Sequence, residues 1–176
     1  MERTQMKRVL GASIIILFLS TLMSSRAAQD GTALNENLKI LEPLLHKNWA
    51  GDMKSPDGKR TFKVSLSCEP IWNGEVIKYS RSNPDRNTFS EGYFYWDVNE
   101  EKITFLSVSN RGGAMKADVS KEDGKISLKG STTIQNRTFD YRNTFEFTSD
   151  GKMIDRWFQN ASGSWQSGHV IEFMKK

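Results

Sequence analysis

The chain is poor in cysteine and histidine. Cys68 is the one cysteine in 176 residues, so no disulfide can form within the chain, and stability must come from a packed core. His46 and His169 are the two histidines, and no pair of histidines stands at zinc-binding spacing. A nucleophile elbow and a phosphate-binding glycine loop are also missing. Long apolar runs are absent as well: the one that stands out, residues 9–23, falls short of the roughly 20 residues a bilayer span needs. Excess charge is lacking once the N-terminus is set aside. Arg3, Lys7, Arg8 and Arg26 against Glu2 account for most of the formal +4, and residues 28–176 carry a net charge of +1. That balance removes the basic footprint on which nucleic-acid binding rests. The Arg111-Gly112-Gly113 triplet is a single copy and reads as a loop.

What is present begins with an export signal. A basic start (residues 1–8), the apolar run, and a small-residue stretch with Ser25 and Ala27 predict cleavage after Ala27. The mature chain would then be periplasmic or secreted, with no stable membrane anchor. Its roughly 149 residues suit one domain with a sizeable core, and eighteen of the nineteen aromatics lie in it. Residues 28–48 read as a helical lead-in and barrel cap. Thr32 is placed to cap a helix from Ala33, and Leu34, Leu38, Leu41 and Leu45 form a stripe at steps of four, three and four.

From residue 49 to the end the pattern has period two. Turn dipeptides recur at Asp57-Gly58, Asn73-Gly74, Asp123-Gly124 and Asp150-Gly151, the pairs that favour tight hairpins because they accept positive φ. About ten strands result, nearly all joined by short turns. A flat sheet of that size would expose two edges, and one helix could not cover it. The expected fold is all-β: an antiparallel up-and-down barrel of about ten strands, residues 49–176, with one N-terminal helix.

Alternation assigns the inner face. Phe62, Val64, Leu66 and Cys68 share one side of their strand. Phe139, Tyr141, Asn143, Phe145 and Phe147 share another, and in the last strand Trp165, Ser167, His169, Ile171 and Phe173 do. In 91–109 the carboxylates Glu91 and Asp97 mark the face of Tyr93 and Tyr95 as the wetter one, which turns Phe94 and Trp96 inward. Trp157 is placed inward too.

Several short motifs carry a resemblance. Leu44-Leu45 leads into Trp49-Ala50-Gly51. The hairpin Gly92-Tyr93-Phe94-Tyr95-Trp96-Asp97 is followed by Ile103-Thr104-Phe105, and Trp165 precedes an apolar ending. Together these resemble the lipocalin-like, calycin-type barrels, above all small exported bacterial domains of unknown function, over residues 34–176. Lys47 stands where the lipocalin signature has glycine. More distantly, His169 in the last strand resembles the iron-binding histidine of nitrobindin. That likeness implies haem held by His169 Nε2 between apolar and aromatic walls.

The candidate ligand-binding residues are Phe94, Trp96, Tyr141, Phe145, Trp157, Trp165 and His169. Aromatic rings with a few polar groups make up the usual small-molecule site, although small barrels are also filled by their own side chains. His169 is either a haem ligand or a neutral histidine bonded to Tyr141, Asn143 or water. Cys68 alternates with core residues and reads as inert. The first reading is an exported barrel that binds a small apolar or aromatic ligand. An enzyme of isomerase, cyclase or hydrolase type using inward polar groups is a second. The third is a homodimer paired through Tyr93 and Tyr95.

Overall fold

The computed structural model describes residues 33–176 apart from positions 46, 56, 135, 136, 161 and 162. Residues 1–27, expected to be an export signal, together with Thr32 and His46 lie outside the described residues. The strands are β1 (Asn48–Lys54), β2 (Thr61–Ile71), β3 (Val76–Asn83), β4 (Thr88–Asp97) and β5 (Lys102–Ser109), followed by β6 (Ala114–Glu122), β7 (Lys125–Ile134), β8 (Arg137–Phe147), β9 (Met153–Asn160) and β10 (Trp165–Lys175). Each pairs antiparallel with the one before it, and β10 returns to β1 with Trp49 opposite Lys175. The result is a closed ten-stranded up-and-down barrel, as the turn spacing predicts. Closure removes the unpaired strand edges that an open sheet would expose.

The turn chemistry sets this register. Asp123 and Gly124 both adopt positive φ (49° and 77°), the geometry that a two-residue hairpin between twisted strands requires. At the β2–β3 connection Trp72, Asn73 and Gly74 are all left-handed. A Cβ on Gly74 would stand 2.4 Å from the carbonyl oxygen of Ala33, so glycine is also what lets the lead-in approach. The Asn35 amide then donates to the Gly74 carbonyl at 3.1 Å, which fastens the lead-in to one end of the barrel.

The leading helix differs from expectation. It is a 3₁₀ helix over Glu36–Leu44, capped by the Asn35 side chain, which accepts from the Asn37 amide. Three residues per turn put Leu38, Leu41 and Leu44 in one row, and all three are fully buried. The α-helical stripe of Leu34, Leu38, Leu41 and Leu45 is thereby corrected to a step of three. The Trp49 indole donates to the Leu44 carbonyl at 3.4 Å, closing the helix onto β1. This end of the barrel, with the β2–β3, β4–β5, β6–β7 and β8–β9 turns, is plugged. The opposite end is not covered by the helix.

Inward residues follow the alternation over most of the wall. Val64, Leu66, Cys68, Tyr141, Asn143 and Phe145 are buried. Phe94 is fully buried, with its ring 4.5 Å from Phe105 and 6.1 Å from Tyr79, whereas Tyr93 on the other face is exposed and donates to Glu91 at 2.9 Å. Strand β10 breaks the rule. Ser167 faces Phe158 and His169 faces Trp157, leaving Gly168 as the extra residue of a β-bulge. A bulge reverses the parity on one side of it. His169, Ile171 and Phe173 still point inward, but Trp165 is on the outer surface, half exposed, with the Arg142 guanidinium over its ring at 5.5 Å. The inward placement of Trp165 is overturned by this single inserted glycine.

Candidate functional site

The barrel interior contains an ionic cluster drawn from four strands. Asp155 on β9 is fully buried. Arg81, from β3 on the far wall, reaches across and donates through Nη1 to Asp155 Oδ2 at 3.0 Å. Asn143 Nδ2 on β8 donates to the other carboxylate oxygen at 2.7 Å. His169 Nε2 on β10 lies 3.3 Å from Asp155 Oδ2 and 3.4 Å from Arg81 Nη2; with its proton on Nε2 it donates to the carboxylate. Each member sits at an inward position of its strand, and pairing sets their levels. His169 and Asn143 flank Trp157 in one row, and Asp155 lies one step toward the capped end.

Burial is the largest influence on Asp155 and opposes its charge. The Arg81 charge and the hydrogen bonds from His169 and Asn143 outweigh it, holding the carboxyl down to about 2. The nearby Tyr79 phenol is pushed up by burial to about 12 and stays neutral at physiological pH. Burial also raises the Cys68 thiol, and the residue packs as part of the core, as its alternation predicts.

Beside the cluster lies a cavity of about 220 Å³. Tyr79, Phe105, Phe145 and Trp157 supply aromatic wall, Met115 and Leu128 aliphatic wall, and Arg81, Asn143 and His169 a polar side. Trp157 stacks on Tyr141 at 4.5 Å between centroids and 15° between planes, and lies nearly parallel to the His169 ring at 6.2 Å. Of the seven candidate residues, Phe145, Trp157 and His169 line this cavity. Tyr141 backs the Trp157 indole. Phe94 and Trp96 pack in the core without lining it, and Trp165 is outside. The polar residues that sequence reasoning passed over are Arg81 and Asp155. Their signal was parity, since Arg81 alternates with Ile77 and Tyr79, and Asp155 with Met153 and Trp157. The partner expected for His169 was Tyr141, Asn143 or water; its partner is Asp155.

Haem iron bound through His169 Nε2 does not fit this arrangement. That nitrogen lies 3.3 Å from a carboxylate oxygen and 3.4 Å from a guanidinium nitrogen, so it is already engaged by two protein groups, one of them a cation. A cavity of about 220 Å³ is also below the roughly 300–1,000 Å³ typical of sites for drug-sized ligands, and a porphyrin is larger than most of those. No cluster of three or more His, Cys, Asp or Glu able to hold a metal occurs among the described residues.

A wider depression of about 750 Å³ lies on the outer wall. It forms where the outward serines Ser65, Ser67, Ser80 and Ser82 leave a trough in β2 and β3, with Phe89 and Val108 at its rim. The trough faces solvent and meets the ionic cluster at Arg81 alone; Asn143, Asp155, His169 and the stacked rings do not line it. The interior is the better candidate site.

No family model matches the chain, and no curated protein matches its sequence. The likeness to calycin-type barrels rests on the closed ten-stranded antiparallel architecture.

Proposed function

We propose that this protein is an exported barrel that takes a small aromatic or apolar ligand into its interior. The observation that carries the reading is the cavity of about 220 Å³, in which aromatic wall and a compact polar side face the same space. An apolar enclosure with a few well-placed polar groups is the usual construction of a small-molecule site. The polar side is already ordered before any ligand arrives, because Arg81, Asn143 and His169 are all held by the Asp155 carboxylate. A ligand bound there would not have to organise them, which lowers the cost of binding. Export is supported by the basic, apolar and small-residue segments of residues 1–27.

Titration with 2-naphthylmethanol, followed through tryptophan emission and by calorimetry, tests the binding reading. Saturable binding that is lost in Trp157→Ala is expected. A bare mass in native mass spectrometry together with no heat on titration would overturn it. Export is tested by N-terminal sequencing of the secreted product, which is expected to begin at Ala28.

One contact favours a second reading, as an enzyme. A carboxylate within reach of an imidazole is the arrangement by which aspartate orients histidine for general-base work. Hydrolysis of 4-nitrophenyl acetate that disappears in His169→Gln would support it, and equal rates in the two proteins would sink it.

A further inference from the structure

We infer that the end of the barrel opposite the helix selects an anionic ligand, specifically a small aromatic ring bearing a carboxylate, a conclusion that rests on the interior being a binding site. A second cavity of about 210 Å³ lies at this end, lined by Arg81, Arg86 and Arg111 with Asn83, Thr88 and Ser90 among its polar neighbours, and by Met53 and Val64. Among the described residues, no acidic side chain lines it. Arg81 and Ser90 also line the inner cavity, so the two spaces adjoin at these residues. A ligand with its ring against Trp157 and Phe105 would direct its other end toward three guanidinium groups.

The two outer arginines are positioned without being neutralised. Arg86 ends the short 3₁₀ turn Pro84–Arg86, where the Asn83 side chain accepts from its amide at 3.2 Å, and its guanidinium lies over the Phe62 ring at 5.3 Å. Arg111 Nη2 donates to the Arg86 carbonyl, which ties the β5–β6 turn to the β3–β4 turn. Neither arginine makes an ion pair among the described residues. The neighbouring carboxylate of Asp85 accepts from the Lys63 amide at 2.7 Å. Arg81 differs, being paired with Asp155. The arrangement therefore has one compensated guanidinium at the floor and two uncompensated ones at the rim. Holding like charges together around a concave space is unfavourable until an anion enters it, and arginine's planar fork suits a carboxylate.

Charge over the whole end agrees. Its turns and strand ends carry Lys54, Lys59, Arg60, Arg86, Arg111 and Arg137 against Asp57 and Asp85, although residues 28–176 together are nearly neutral. At the capped end acids and bases are about equal in number. Positive potential is concentrated where a ligand would enter, and clefts of one sign draw in ligands of the other.

The test compares 2-naphthoate with 2-naphthylmethanol on the full mature chain by calorimetry. The carboxylate is expected to bind about tenfold tighter or more at low salt, the factor a single charge-assisted hydrogen bond of modest strength supplies. In the Arg86→Gln/Arg111→Gln double variant the ratio is expected to fall to about twofold or less, and in Arg86→Lys/Arg111→Lys a preference for the carboxylate is expected to remain. Equal affinities in the wild-type protein, or a ratio unchanged in the double glutamine variant, would overturn anion selection while leaving the interior site standing. Failure of both probes to bind the wild-type protein would overturn the interior site and this inference with it.

Discussion

Gly168 leaves room for the Trp157 indole. A Cβ at position 168 would stand 2.3 Å from Trp157 Cδ1, closer than Cβ atoms come to any neighbour, and a tight 3.1 Å from Nε1. The glycine of the β10 bulge thus does two things. It shifts the register so that His169 remains inward, and it gives the indole space to lie between Tyr141 and His169.

Gly168→Ala is expected to displace the indole and destabilise the protein by about 1–3 kcal/mol, the usual cost of overpacking a fitted site. Urea denaturation measures the loss, and near-ultraviolet dichroism reads the broken Trp157–Tyr141 stack. An unchanged near-ultraviolet spectrum would refute the packing role assigned to this glycine.

Asp155 is the counter-charge on which the interior depends. Asp155→Asn keeps the shape but leaves the Arg81 guanidinium without its partner in a largely dry setting. Breaking one side of a buried pair costs about 3–5 kcal/mol. Replacing the pair together, as in Arg81→Met/Asp155→Leu, is expected to cost less than the single change, because no orphaned charge remains. Chemical denaturation at pH 7 ranks the two variants, and the opposite order would show that the pair itself is strongly stabilising.

Acid stability should report the same carboxyl. The folded Asp155 is held down to about 2 against an ordinary value of 3.8. A depressed folded value means that its contribution is fully present above about pH 4 and is lost as the pH falls toward 2. The amount is about 2 kcal/mol by linkage. Urea midpoints measured from pH 5 to pH 2 should fall more steeply in the wild-type protein than in Asp155→Asn. Parallel slopes would place the acid sensitivity elsewhere.

The barrel was legible because its information is local. Turn pairs such as Asp123-Gly124 demand positive φ, and the alternation in β8 divides Tyr141, Asn143 and Phe145 from Asp140, Arg142 and Thr144 without ambiguity. Trp165 was misplaced because a bulge is a single extra residue, and Gly168 carries no side chain with which to announce a change of face. The helix was misread because Leu41 and Leu45 satisfy a step of four while Leu38, Leu41 and Leu44 satisfy a step of three, and the fastening of Asn35 to Gly74 comes from tertiary structure. The Arg81–Asp155 pair joins residues 74 positions apart across the barrel, so parity could place each one inward without showing that they meet.

The leading helix should be a stability element that is separable from the site. Leu41 is fully buried at the plugged end and lines neither the inner cavity nor the arginine-rich mouth. Leu41→Ala removes apolar volume between the helix and the barrel floor, where substitutions of this kind cost about 2–5 kcal/mol. The urea midpoint should fall accordingly, while the affinity for 2-naphthylmethanol, measured well below that midpoint, stays within about twofold, because strands β3, β8, β9 and β10 still hold the cluster. A loss of affinity of tenfold or more at full folding would mean that the helix shapes the cavity as well as closing the barrel.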